Sequence, residues 1–168
     1  ELIGYLGNDD VLMPRILSRI RDLARLIDFD AAFFNSYTNY VQERRCILHR
    51  PATADLSTAN LLQLGTIVGL QNIVYRRDLL LKTPFNPANR YSMDYEMLLE
   101  LSTQGIKTLY VDEVATINHM DGNISHNNPA QTLEAINVAA RWARGYTGRL
   151  WFENMVEPAV VQRIRGIT

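Results

Sequence analysis

Asp9 and Asp10 stand side by side behind the carboxamide of Asn8, at the end of the apolar run Ile3-Gly4-Tyr5-Leu6-Gly7. Adjacent carboxylates repel, and the pair is most comfortable beside a hard divalent cation, magnesium or manganese, or beside a cationic partner. The competing reading is that Asn8 or Asp9 only caps the helix that follows. Three other places hold residues that could do chemistry. Gln71 and Asn72 interrupt an apolar stretch and must find hydrogen bonds, within the fold or with a ligand. Asp94 falls in the first turn of a helix that Ser92 can cap, where a carboxylate complements the helix dipole by about 0.3–1 kcal/mol. His119 and His126 flank a polar, glycine-containing loop and could ligate a metal, although loop histidines are more often solvated or hydrogen-bonded.

The elements that must position these groups read as an α/β fold. Gly4 to Leu6 suggests a short buried strand, and strand, acids, helix is the order of a site at a strand's carboxyl end, where α/β sheets bind ligands. Val11 to Ile27 has the period of a helix, with Pro14 in its first turn and Ile16, Leu17, Ile20, Leu23, Ala24 and Ile27 on one face. Asp28 to Tyr37 reads as a strand around Ala31-Ala32-Phe33-Phe34. Thr38 to Asp55 reads as a loop or irregular hairpin, with Arg44 and Arg45 solvated or, less often for such residues, contacting an anion. A short helix over Leu56 to Leu64 stops at Gly65, extended chain covers Thr66 to Arg76, and a helical turn from Arg77 stops before Pro84. The Ser92 helix runs to Gln104, with Gly105 as its stop. Two strands, Thr108 to Val111 and Val114 to Ile117, are separated by a turn-like Asp112-Glu113. Pro129 opens a helix closed by Gly145, and Trp151 onward reads as another amphipathic helix.

Composition narrows the classes. A chain of 168 residues that is 47% hydrophobic supports a real core, and a net charge of −1 offers no electrostatic case for nucleic acid. Cys46 is the sole cysteine, so no disulfide forms within the chain. No apolar run is long enough to cross a bilayer, which points to a soluble, cytoplasmic protein; the glycosylation-like Asn123-Ile124-Ser125 is then a chance match. The opening Glu1-Leu2-Ile3 already lies in a strand pattern, as in a piece of something longer.

In this order the features resemble the family two glycosyltransferases with the GT-A fold. Gly4 to Leu12 is similar to the family's strand and acidic motif, and Leu70-Gln71-Asn72-Ile73-Val74-Tyr75-Arg76-Arg77-Asp78-Leu79 to its His-Gln segment. Phe85 with Met93-Asp94-Tyr95-Glu96-Met97-Leu98 resembles its Asp-Tyr motif, and Val111 to Val114 with Gly122 to Ser125 its last landmark. The resemblance implies a partial GT-A sheet flanked by helices, with residues 1–127 the metal- and acceptor-binding portion and 128–168 a helical extension. It implies Asp10, then Asp9, with His119, as ligands of Mg2+ or Mn2+, and Asn8 and Asp9 at a nucleotide-sugar donor. It further implies Asp94 as the base, and Gln71, Tyr95 and Glu96 on the side of a saccharide or lipid-linked acceptor, which is compatible with peripheral association at the inner face of a membrane. Asn8 replaces a frequent carboxylate and Leu70 a frequent histidine. The strands that hold the nucleotide base in this family precede the acidic motif, so an absent front half is expected. A metal-dependent phosphohydrolase and a non-catalytic domain that kept the fold are the alternatives.

Overall fold

The densest apolar segment, Phe29 to Phe34, forms the centre of the molecule because its side chains alternate between two buried faces. A computed structural model describes residues 1–120 and 129–146. The elements in order are β1 (Leu2–Gly4), β2 (Val11–Leu12), α1 (Ile16–Leu26), β3 (Ala31–Tyr40), β4 (Arg45–His49), α2 (Thr58–Leu64), a 3-10 turn (Leu70–Asn72), β5 (Ile73–Arg76), α3 (Arg77–Lys82), α4 (Met93–Ser102), β6 (Thr108–His119) and α5 (Pro129–Tyr146). Ala32 and Phe34 meet Ile16, Ile20 and Leu23 of α1. Ala31 and Phe33 face the other way, into a larger core built from Leu61 and Leu62 of α2, Tyr95, Leu98 and Leu99 of α4, and Val138, Ala139 and Ala143 of α5. The result is a mixed α/β protein with helices on both faces of one sheet. Among the described residues, no helix is long and apolar enough to cross a membrane.

The sheet has six strands in the order β1-β5-β3-β6-β2, with β4 paired to β3 as well. β3 and β6 run parallel and span the whole height. In the lower half β3 pairs with β5 through Ala31–Phe33, and in the upper half with β4 through Ser36–Tyr40. β1 and β2 lie at opposite ends of the order, four strand spacings or about 19 Å apart in a flat sheet. They are joined by Tyr5 to Asp10, and that linker spends part of its length on a turn closed by Asp10 N–H to Gly7 O. A flat sheet would stretch it to near its limit of roughly 25 Å, so the sheet curls, and Leu2 and Leu12 come to line one cleft.

Four expectations are corrected. The first strand is not buried: β1 is an edge strand with half-buried Leu2 and Ile3 and an exposed Gly4, because a strand with one neighbour is covered on one side only. The helix does not begin at Val11. Pairing of Val11 with Ile117 and Leu12 with Thr116 draws these residues into the sheet, and α1 starts only after Pro14 and a left-handed Arg15 (φ 66°). That gap also removes the capping role considered for Asn8 and Asp9. Asp112-Glu113 is not a turn: β6 continues through it, and the extra residues are taken up by register shifts around Asn35. Thr38 to Asp55 is more regular than a loop, since β3 runs on to Tyr40 and β4 returns beside it. In that hairpin Arg45 is held locally, by Glu43 at 2.9 Å and over the Tyr40 ring.

The short helices behave as their ends dictate. Ser57 caps α2, its hydroxyl accepting from Asn60 N–H. Gly105, just beyond α4, has φ 65°, and a Cβ there would meet nothing within 4 Å. Gly105→Ala is therefore expected to cost about 1 kcal/mol through backbone strain alone, measured by chemical denaturation.

Candidate active site

The acidic turn lies at the carboxyl end of the long strand β6. Asp9 and Asp10 fold back over Gly7, where a Cβ would sit 2.7 Å from Asp10 Oδ2 and 3.0 Å from Asp9 Oδ1. A side chain at residue 7 would push the Asp10 carboxylate, and to a lesser degree that of Asp9, out of these positions. Burial pushes the Asp10 carboxyl above the usual range, the charge of Asp9 adds to this, and backbone N–H groups of Gly7 and His119, with the His119 ring, oppose it. Asp10 thus has Asp9 on one side and His119 on the other, but among the described residues no group of three or more His, Cys, Asp or Glu side chains is gathered closely enough to hold a metal ion. His119 Nδ1 is buried and has no hydrogen-bond partner. Asn8 is exposed on the same turn. His126 and the segment Gly122 to Ser125 lie outside the described residues, as does Trp151 onward.

Asp94 occupies the first turn of α4. Its carboxylate accepts from Tyr95 N–H at 2.8 Å, and burial raises its pKa. Ser92 precedes the helix but does not cap it with its side chain; its hydroxyl donates to Gln131 O. The Tyr75 hydroxyl, on a fully buried residue of β5, has no hydrogen-bond partner. Its pKa is raised by burial first and then by the nearby Asp94 and Tyr5. Tyr5 starts the linker that ends in the acidic turn, and its ring packs edge-on against Phe85 at 5.3 Å. Sequence reasoning missed Tyr75, because a tyrosine within Ile73–Arg76 is what any buried strand could carry.

The residues around Asp94 are occupied within the fold. Tyr95 is buried and donates its hydroxyl to Leu61 O at 2.9 Å. Glu96 accepts from Asn86 and Asn89, each at 3.0 Å, and from Arg141 at 2.8 Å, tying the preceding loop and α5 to α4. Gln71 instead remains at the surface of the fold, its carboxamide folded over Gly69 and bordering two clefts. Its neighbour Asn72 is buried, with its side-chain oxygen against the Thr116 hydroxyl.

No family model matches this chain, and no curated protein matches it.

Glu134 of α5 also shapes the site, and no sequence signal marked it. Its carboxylate accepts the backbone N–H groups of Arg90, Tyr91 and Ser92, holding the entry to α4 and with it Asp94. Partial burial works against its charge, but those three donors outweigh it and lower its pKa below 4.5. Its stabilising contribution is present above 4.5 and is lost as the pH falls through the lowered folded value. Glu134→Gln is expected to lower the melting temperature at neutral pH and to flatten the acid limb of a melting-temperature-against-pH series.

Proposed function

We propose that this chain is the metal- and acceptor-binding part of a family two glycosyltransferase with a GT-A sheet, moving a sugar from a nucleotide-diphosphate donor to an acceptor hydroxyl. The observation that carries the reading is the placement of Asp94: a carboxylate at a helix start, pinned by Tyr95 N–H, desolvated enough to raise its pKa, and next to an unpartnered tyrosine hydroxyl. Such a group suits a general base, because its proton affinity is moved toward neutral pH. In the proposed step the acceptor oxygen forms a bond to the anomeric carbon, the bond from that carbon to the diphosphate oxygen breaks, and the acceptor's proton passes to Asp94. A base opposite the leaving group corresponds to inversion.

Asp10, Asp9 and His119 fit a hard divalent cation. Two acids are forced together over Gly7, and an imidazole with a buried, unpartnered nitrogen stands beside them. Among the described residues no group of three or more His, Cys, Asp or Glu side chains could hold a metal ion by itself. The proposed Mg2+ or Mn2+ would have to be held by one or two carboxylates and completed by diphosphate and water. Bound there, the cation would offset the charge that develops on the departing diphosphate. Asn8 is left to contact the donor and Gln71 the acceptor, whereas Tyr95 and Glu96 hold α4 in place.

The test is manganese-dependent binding of UDP and GDP, followed by calorimetry. Gly7→Ala adds a methyl group that must displace both carboxylates, and it is expected to weaken the ternary complex at least tenfold without unfolding the chain, since Gly7 is exposed. Nucleotide binding that ignores manganese, or that Gly7→Ala leaves untouched, would remove the metal from the scheme.

A further inference from the structure

Where β3 changes partner from β5 to β4, a cleft of about 230 Å³ opens between the upper sheet and the 3-10 turn. Its floor is polar although it is part of the interior. Ser36, Thr38, Asn72 and Asn118 are 4–8% exposed and line it. The register aligns Ser36 with Thr116 and Thr38 with Asn118 across β3 and β6, so these side chains form one patch. Asn72 and Asn118 share the Thr116 hydroxyl, the latter at 2.8 Å. Ser36 and Thr38 line the same cleft. A polar lining set this deep in the fold calls for a ligand or water.

The lining selects a class of ligand. Hydroxyls and carboxamides both donate and accept, which is how another hydroxyl is recognised. An apolar occupant would leave the floor unpaired. An anion would need free cations, but the lining has no lysine, and its arginine, Arg50, leans on Asp112 at 3.5 Å. Phe34, Ile67 and Pro51 add apolar wall for the C–H faces of a ring. The volume is below the roughly 300–1,000 Å³ of drug-sized sites, so it holds one ring and no more.

We propose that this cleft is a binding site for a single neutral pyranose ring, with Ser36, Thr38 and Asn118 as its hydroxyl-reading residues. Gln71, given to the acceptor above, also lines this cleft, but the site needs neither Asp10 nor Asp94, so sugar binding here is testable apart from the transferase reading.

The experiment is saturation-transfer NMR on the full chain, with methyl glucoside, methyl galactoside and methyl N-acetylglucosaminide as probes at millimolar concentration. Transfer to the ring protons of at least one glycoside is expected. Thr38→Val, which is isosteric and suits a strand, and Ser36→Ala, in case the first misfolds, are each expected to weaken it roughly tenfold. Absence of transfer with every glycoside, or transfer that both folded variants leave unchanged, overturns the proposal. Glycoside binding without manganese-dependent nucleotide binding would leave this site standing and remove the transferase; the reverse result would do the opposite.

Discussion

Asp94→Asn is expected to lower kcat by about 10²–10⁴-fold, the range that a positioned general base contributes, with little change in KM. The amide is nearly isosteric and can still accept from Tyr95 N–H, as the carboxylate does at 2.8 Å, so the helix start survives while the proton acceptor is lost. The same substitution should make the protein more stable at neutral pH. Burial raises the Asp94 pKa in the folded state, so the folded chain holds this proton more tightly than the unfolded one. The group's contribution is most favourable below the unfolded value of 3.8 and is lost as the pH rises through the raised folded pKa. Removing the charge therefore stabilises above that window and does nothing below it. Turnover of a nucleotide sugar, read beside a melting-temperature series against pH, checks both halves. A variant that keeps full turnover removes Asp94 as the base, and one that is less stable at neutral pH contradicts its desolvation.

Phe33→Ala is the substitution expected to cost the fold most. Phe33 is wholly buried in the central strand, pairs across to Ile73 of β5 and to Tyr110 of β6, and packs its ring 5.4 Å from that of Tyr110. Truncation removes apolar area from the core shared by β3, α2, α4 and α5 and leaves a cavity that the parallel β3 and β6 cannot close. A loss of about 3–5 kcal/mol follows, a large share of the stability of an ordinary domain. In a chain of this length that corresponds to a melting temperature lower by roughly 10 °C. Denaturant titration measures it directly; a loss under 1 kcal/mol would mean that the sheet relaxes around the gap. The contrast with Asp94→Asn is the useful one: one variant should lose fold while the other gains it, and only the second touches the proposed chemistry.

Periodic elements were legible in advance. The helical stripe of Ile16, Ile20 and Leu23, the aromatic strand through Phe33 and Phe34 and the Gly105 stop all follow from local rules that the structure obeys. The adjacent acids were legible too, but not their folding back over Gly7, which only the structure shows. What misled was tertiary pairing. Val11 and Leu12 carry a helical period, yet Ile117 and Thr116 offered them a strand edge. Asp112-Glu113 carries turn chemistry, yet pairing with β3 on either side, Phe34 with Val111 and Asn35 with Val114, carried the strand through them as an unpaired bulge. Ser36 was read within the strand but Thr38 in the loop or hairpin that follows, because polar residues are rare on a buried strand face, and that rarity is what makes the cleft beside them informative.

By itself, then, the order of residues determined where helices and strands could form, which faces were apolar, and that two acids would stand side by side. Only the folded chain decided which distant groups meet: Asp10 with His119, Asp94 with Tyr75, and Glu134 with the loop before α4. The reason is range. Propensity and patterning act over a few residues, whereas these encounters are set by the strand order β1-β5-β3-β6-β2 and the curl that brings its two ends together, which no local signal encodes.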